Sequence, residues 1–578
     1  MFNTVFNPGF VSQLPADSTP NSVSTSAFSG TFKQPATLFS TRSLLLAPCQ
    51  GLLIPMGGGY DEVLPGFGQV LFARVRDTNV CVTIVPASFS SSAFAISPAE
   101  RAQHLACAER RRQMIELALN AAAPSGVTCN VALAPIFVRD DAEDESNLAY
   151  FGPEVDAVFL LGGDQAVAMR VLHGTPAEAA IDAIYRRGGI IGGTSAGAGM
   201  QAQIMLAGFR PGYGMQRSLH IGATAVWNTG EERGLICGAG GIIFDQHFFQ
   251  RGRMGRLLEA ITSPGAPGIG VGIDAYTGLQ VRADGHMGDV FGAYSVAVLD
   301  AQSYGAVDNA SQRGSHGSIS LRNVLVHLLA PGGSSYDLRT CSHSLAPNLP
   351  LPQARRFDGL ALPQGAGTLY LSGGMDDGKR AEFAAGATIA LSARDPQEID
   401  CQKLAVAREA WLHGAPLWLE GAYAAAAGAY YCAAAAPQTT RDPEDLSAQE
   451  AAEIAARRAL VTENVELRDG LGLLAANFEP RVVENGAWGR LFALAYEHAE
   501  QPAFGLGANT ALVITEVGAE VIGEEAVIAL DLRMAARDLG DNGAYVVANG
   551  LLDVFVPGEA AAPHAAGGLT RLGYLSQS

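Results

Sequence analysis

Disulfide and metal-binding patterns are missing from this chain. Its eight cysteines (Cys49, Cys81, Cys107, Cys129, Cys237, Cys341, Cys401 and Cys432) are scattered, with no C-x-x-C pair. That excludes a disulfide framework and a cysteine-ligated zinc module, and points to buried small residues in a reducing compartment. Positive charge is scarce: 38 Lys and Arg stand against 57 Asp and Glu, a net charge of -19. A nucleic-acid partner needs clustered cations to neutralise phosphate, so none is expected. No run reaches about 18 uninterrupted apolar residues, so no membrane span is expected. The first thirty residues have no basic segment leading into an apolar run, so no secretory leader is read either. These absences lead to the expectation of a soluble, cytoplasmic protein.

What is present describes a well-buried globular chain. The length of 578 residues calls for two to four domains. A hydrophobic content of 48% and a charged content of 16% exclude disorder. The 68 glycines suit many tight turns between strands and helices.

Residues 1–48 are rich in Ser, Thr, Asn, Pro and Phe without periodicity, and read as an irregular N-terminal extension. Beyond them, short apolar strands alternate with longer amphipathic segments, the pattern of a parallel sheet flanked by helices. Strands are expected over Gly51–Met56, Val80–Pro86 and Val155–Leu161. A long helix is expected over Pro98–Ala121, with Leu105, Met114, Ile115 and Leu117 on its apolar side. An internal repeat is also visible. Gly272-x-x-Ala275-x-Thr277-x-Leu279 is echoed by Gly505-x-x-Ala508-x-Thr510-x-Leu512, and FGAYSVAVLD ending at Asp300 by IGEEAVIALD ending at Asp531. A fainter echo links LLGGDQ (Leu160–Gln165) with YLSGGMDD (Tyr370–Asp377). The expected organisation is therefore an extension (1–48), a first α/β domain (49–345), a Pro-rich linker (346–359) and a second, related domain (360–578).

Two motifs carry chemistry. Gly193-Thr194-Ser195-Ala196-Gly197 fits G-x-S-x-G between an apolar strand and a small-residue helix. A sharp turn there exposes a serine hydroxyl, and the helix start supplies N–H groups for an oxyanion. Ala196 is one expected donor, and Gly163 at the preceding strand end a second. The other motif is Phe244-Asp245-Gln246-His247-Phe248-Phe249-Gln250-Arg251-Gly252-Arg253-Met254-Gly255-Arg256. Strand alternation would turn Asp245 and His247 to one face, and His247 could serve Ser195 as general base. Arg251, Arg253 and Arg256 are close enough along a helix to clamp a carboxylate.

LLGGDQ, GGTSAGA, DQHFFQRGRMGRLL and GIGVGID, in that order, resemble the cyanophycinase family, serine peptidases related to peptidase E and its aspartyl dipeptidase relatives. The resemblance covers roughly Gly51–Leu338. It implies a fold like the class I glutamine amidotransferase domain and hydrolysis of cyanophycin, a poly-aspartate backbone bearing arginine on each β-carboxyl, to β-Asp-Arg dipeptides. It also implies Ser195 as nucleophile, His247 as base, and a pocket of Gln165, Asp245, Gln246, Arg251, Arg253 and Arg256. No metal or organic cofactor is implied. The partners would be the polymer or aspartyl peptides. The family places a glutamate after its GID strand to orient the histidine; here that position is Ala275. Asp274 and Asp245 are the candidate substitutes. Two other functions fit the same residues: a peptidase of aspartyl or isoaspartyl peptides, and a catalytically impaired homologue that binds the polymer.

The second domain lacks these groups. Arg481 falls where His247 stands, Asn485 where Arg251 stands and Glu479 where Asp245 stands, and Gly414–Tyr431 offers no serine. The expectation is a degenerate, non-catalytic copy packed on the first as an intramolecular pseudo-dimer, with any further oligomerisation open.

Overall fold

The computed structural model describes residues 51–60, 62–75, 77–303, 317–347, 358–434, 460 and 465–561. The N-terminal extension and nearly all of the expected linker lie outside the described residues.

The first sheet is mixed. Five strands are parallel, in the order Thr128–Leu133, Asn79–Val85, Ala157–Leu160, Ile190–Thr194, Leu52–Met56. Thr277–Arg282 then pairs antiparallel with Leu52–Met56, and His286–Gly292 with Thr277–Arg282. The three inner strands Ala157–Leu160, Ile190–Thr194 and Leu52–Met56 are buried along their whole length because both sheet faces are covered there, whereas the edge strand Thr128–Leu133 alternates exposed and buried residues. The long helix runs Pro98–Ala122, started by the Ser97 side chain accepting the Glu100 N–H. Its buried face is Ala108, Ile115 and Leu119, whereas Leu105 and Leu117 are 44% and 74% exposed. The expected apolar side is thus corrected by rotation of the helix: Ile115 faces the sheet, and Leu105 and Leu117 face solvent.

A second sheet joins the two halves of the chain. Its path runs Asn477–Pro480, Ala503–Leu506, Val527–Asp531, Tyr545–Phe555, Leu321–Leu329, Val296–Asp300, Ile269–Ile273, Ile243–Gln246. The centre is the antiparallel pair Leu321–Leu329 with Tyr545–Phe555, including Leu325 opposite Leu551. One apolar core lies against this sheet and draws on both halves. Phe249 and Phe492 meet edge-on within it, ring centres 5.4 Å apart. Gly252 and Gly486 also touch: a Cβ at Gly252 would fall 2.6 Å from the Gly486 Cα, so glycine is required for this approach.

The third sheet shows how the halves correspond. Leu369–Ser372 has a parallel neighbour in Leu417–Gly421 and an antiparallel one in Thr510–Thr515. Leu52–Met56 has the same two kinds of neighbour, Ile190–Thr194 and Thr277–Arg282. The loops agree as well: Tyr276 N–H donates to Gly58 O (2.7 Å), and Asn509 N–H donates to Gly374 O (2.8 Å). YLSGGMDD therefore matches LIPMGGGY, not LLGGDQ. The expected echo is corrected, because two different strands of this sheet both end in a Gly-Gly pair. The strand standing beside Leu417–Gly421 as Ala157–Leu160 stands beside Ile190–Thr194 is Ile389–Ala393.

Asp245 also departs from expectation. The strand ends at Gln246, and His247 adopts φ 48°. Strand alternation stops there, so Asp245 enters the core while His247 turns to the loop. Asp245 is fully buried and takes a two-pronged contact from Arg256, Nε to Oδ2 at 2.7 Å and Nη2 to Oδ1 at 2.5 Å. Glu479 and Arg490 repeat the pair in the second half, Nε to Oε1 at 2.8 Å.

Candidate active site

Ser195 follows the strand Ile190–Thr194 and precedes the short helix Ala196–Gly199, with φ 53° and ψ -116°. A non-glycine residue in this region costs on the order of 1–3 kcal/mol, so the surrounding chain must impose it. It does: Ser195 N–H donates to Met56 O at 2.9 Å, and Ser195 O accepts Ala198 N–H at 2.9 Å. The turn projects the hydroxyl at the C-terminal edge of the parallel strands, where ligands bind in open α/β sheets.

The imidazole lies beside it: His247 Nε2 is 2.9 Å from Ser195 Oγ. His247 is held by its backbone, whose N–H donates to Gly57 O at 2.8 Å and whose carbonyl accepts Arg251 N–H at 3.0 Å. Its ring rests on Gly58, where a Cβ would fall 2.1 Å from the His247 Cε1, and Gly58 has φ 150°. Gly58 is the middle of the run Gly57-Gly58-Gly59, which directly follows the strand Leu52–Met56. The triple glycine was the signal for this seat. Gly58→Ala is expected to displace the ring and lower turnover about 100-fold, the cost of roughly 1 Å of misplacement. Steady-state kinetics on the variant, with its melting temperature as a control, check this.

The expected oxyanion donors flank the serine. Ala196 opens the helix, and its N–H belongs to the first turn, which has no intrahelical acceptor. Gly163 is exposed beside the elbow, and its neighbour Gly162 is so near that a Cβ there would lie 3.0 Å from Ser195 Cβ.

The expected pocket residues separate. Gln165 is buried, and its amide donates to Leu206 O (3.0 Å), tying down the hairpin strand Met205–Phe209. Gln246 is buried. Arg253 donates to Asp245 Oδ1 (3.3 Å) and to Gln246 O. Arg256 is buried on Asp245 and lies over the Phe209 ring (5.3 Å). The three-arginine clamp is thus corrected: a left-handed Gly252 breaks the helix between Arg251 and Arg253, so the three do not share one face. Arg251 is half-buried on the short turn Phe249–Arg251 that leaves His247.

Of the two candidate orienting acids, Asp245 is committed to Arg256, Arg253 and the Gln246 N–H (2.8 Å). Asp274 is buried and its Oδ1 accepts Phe249 N–H at 3.0 Å, so it braces the turn that carries His247. Ala275 is buried too, and its N–H donates to Gln250 Oε1 at 2.9 Å.

The second half makes that last contact with a carboxyl: Ala508 N–H donates to Glu484 Oε1 at 3.0 Å. Burial pushes the Glu484 carboxyl up from 4.5 to about 7, with the Glu525 charge adding to the rise and Arg481 opposing it. The unfolded chain thus releases this proton before the folded one, and stability from this group falls as pH rises from about 4.5 to about 7. Glu484→Gln, which copies the neutral Gln250, is expected to stabilise the protein by about 1–2 kcal/mol at pH 8 and to change little at pH 4. Urea unfolding at the two pH values checks this.

Among the described residues there is no cluster of His, Cys, Asp and Glu able to hold a metal ion, and no helix long and apolar enough to cross a membrane.

A strained serine on a strand-to-helix turn, with an imidazole in hydrogen-bonding reach, has the local geometry of the elbow turns seen in α/β hydrolases. Sequence comparison then supplies the family. The chain is 35% identical over 197 residues to cyanophycinase of Trichormus variabilis, covering 34% of this chain and 62% of that protein. It is 32% identical over 203 residues to cyanophycinase of Synechococcus elongatus (35% and 58%). It is 31% identical over 206 residues to that of Geminocystis herdmanii (35% and 70%). The chain belongs to the cyanophycinase family. The matched region spans about three-fifths of the length of the first two of these relatives. No family model matches. Among solved structures, a peptidase from an acI-B1 Actinobacterium aligns at a TM-score of 0.32 and 18% identity, over 44% of this chain and 91% of that one.

Proposed function

We propose that the protein is a serine exopeptidase that hydrolyses cyanophycin and releases β-Asp-Arg dipeptides. The observation that carries this proposal is the 2.9 Å contact between His247 Nε2 and the Oγ of a strained Ser195. His247 takes the hydroxyl proton as Ser195 Oγ attacks a backbone carbonyl carbon of the polymer. The resulting oxyanion is held by the Ala196 and Gly163 N–H groups. Collapse breaks the C–N bond, and the leaving amine takes the proton from His247. Water then attacks the acyl-serine ester, giving up a proton to the same imidazole, and the ester C–O bond breaks as Ser195 Oγ takes that proton back. Arg251, on the turn after His247, is in this proposal the group that holds an aspartyl carboxylate, with no metal or organic cofactor.

One observation favours slow turnover. The family's orienting glutamate is Ala275 here, buried and bonded through its N–H to Gln250. Losing the orienting acid of a Ser-His-Asp set costs on the order of 10⁴ in kcat, against about 10⁶ for the nucleophile. Asp274, bracing the turn through Phe249, recovers part of that loss by holding the imidazole's backbone in place.

The second half is, in this proposal, a degenerate copy that covers the first as a pseudo-dimer. Two backbone correspondences support it. Gly421 has φ 61° and ψ -124°, matching Ser195, and Arg481 has φ 54°, matching His247. The reducing cytoplasm fits cysteines that form no disulfide at the seven described positions.

The test is incubation of the full chain with purified cyanophycin, followed by mass analysis of the soluble fraction. Dipeptide is expected. Granules that stay intact with protein bound to them would overturn hydrolysis and leave a polymer-binding homologue.

A further inference from the structure

The described residues of the second half contain a cavity of about 740 Å³, set at the turn that corresponds to the nucleophile elbow. Its wall includes Gly421, in the serine's backbone conformation, and Arg481, in the histidine's. Gln216 of the first half also lines it, so the cavity takes its shape from both halves. Its size suits a small molecule or a peptide end.

The charges around it are unevenly matched. Arg380 is engaged by Glu420, Nη2 to Oε1 at 2.6 Å and Nε to Oε2 at 2.8 Å, and Arg490 by Glu479. Arg394 and Arg481 differ: among the described residues neither guanidinium has a hydrogen-bond acceptor or a salt-bridge partner. Arg394 is exposed and Arg481 half-buried. The Arg481 guanidinium lies close over Gly374, with Nη1 3.3 Å from where a Cβ there would stand. A guanidinium fork matches the geometry of a carboxylate. Arg481 also keeps a left-handed backbone, which is strained for a residue with a Cβ.

We propose that this cavity is a binding site, without hydrolysis, for an amino acid or short peptide that bears a free carboxylate, with Arg481 and Arg394 as its receptors. The substitutions that remove chemistry from the elbow, glycine in place of the hydroxyl and arginine in place of the imidazole, put a guanidinium on the same frame, in a wall that also carries Asp376, Asp395 and Glu484. The carboxylate follows from the two arginines. Choosing an aspartyl ligand as a probe rests on the proposed function.

The full chain is titrated calorimetrically with L-aspartate and, separately, with the β-Asp-Arg dipeptide. The parent, Ser195→Ala, Arg481→Gln and Arg394→Gln proteins are compared, each checked for an unchanged melting temperature without ligand. Binding is expected in the parent and in Ser195→Ala, and to weaken at least ten-fold in each arginine variant. Arg394 is exposed, so its variant retains the fold even where the Arg481 variant does not. A response to both ligands assigns the site to amino-acid carboxylates in general; a response to the dipeptide alone assigns it to fragments of the polymer. Titration unaffected by either arginine substitution, or absent from the parent at millimolar ligand, overturns the proposal. Arginine-dependent binding in a protein that fails to cleave cyanophycin would sink the peptidase reading and leave this site standing.

Discussion

Ser195→Ala is expected to lower hydrolysis of cyanophycin by on the order of 10²–10⁴-fold, the part of the nucleophile's contribution that the missing orienting acid leaves in place, with little change in stability. Position 195 makes its structural contacts through the backbone: its N–H on Met56 O and its carbonyl on Ala198 N–H. Alanine retains both, and it meets the same left-handed backbone that serine already tolerates. What disappears is the atom that would form the ester. Binding should survive, because the substitution removes a single oxygen and leaves both backbone contacts in place. A large fall in kcat with the melting temperature held is therefore the signature. A variant that retained a tenth of the activity would show that another nucleophile, or a directly activated water, performs the reaction.

The second large effect falls on stability. Asp245→Ala removes the partner of a buried guanidinium, and is expected to destabilise the protein by about 3–5 kcal/mol. Arg256 is nine-tenths or more buried and has its Nε and Nη2 on that carboxylate; Arg253 adds a third contact. Without Asp245 those donors keep their desolvation cost and lose their acceptor. The same strand ends at Gln246, one residue before His247, so activity should fall together with stability. Arg256→Met in the Asp245→Leu background should recover much of the loss, because apolar replacement of a whole buried pair is often neutral. Chemical denaturation of the single and double variants measures this. Equal destabilisation in the double variant would contradict it.

The sequence made some features plain and hid others for identifiable reasons. Strand positions were legible because buried parallel strands are apolar along their whole length and end in glycine. The meeting of Ser195 with His247 was legible because each closes a short apolar strand, one in G-x-S-x-G and the other in Phe-Asp-Gln-His. Asp245 and Arg256 were misassigned to a substrate pocket. Eleven residues of separation reveals two opposite charges but not that both point into a core. The LLGGDQ echo failed because Gly162-Gly163 and Gly373-Gly374 end different strands of matching sheets, and only pairing partners distinguish them. Leu105 and Leu117 failed because a 25-residue helix carries enough leucine and alanine to support more than one apolar face. Gly58 was visible as a residue but not as a seat, since what it admits comes from a loop nearly two hundred positions away.

The most direct test uses a fluorophosphonate, which esterifies a serine only when an adjacent base has made its oxygen nucleophilic. The native chain, treated with the reagent and digested, should carry one added phosphonyl mass on the peptide containing position 195. Labelling should collapse when His247 is replaced by alanine. An unmodified peptide in the native protein, or a label that persists without the imidazole, would contradict a serine activated by that histidine.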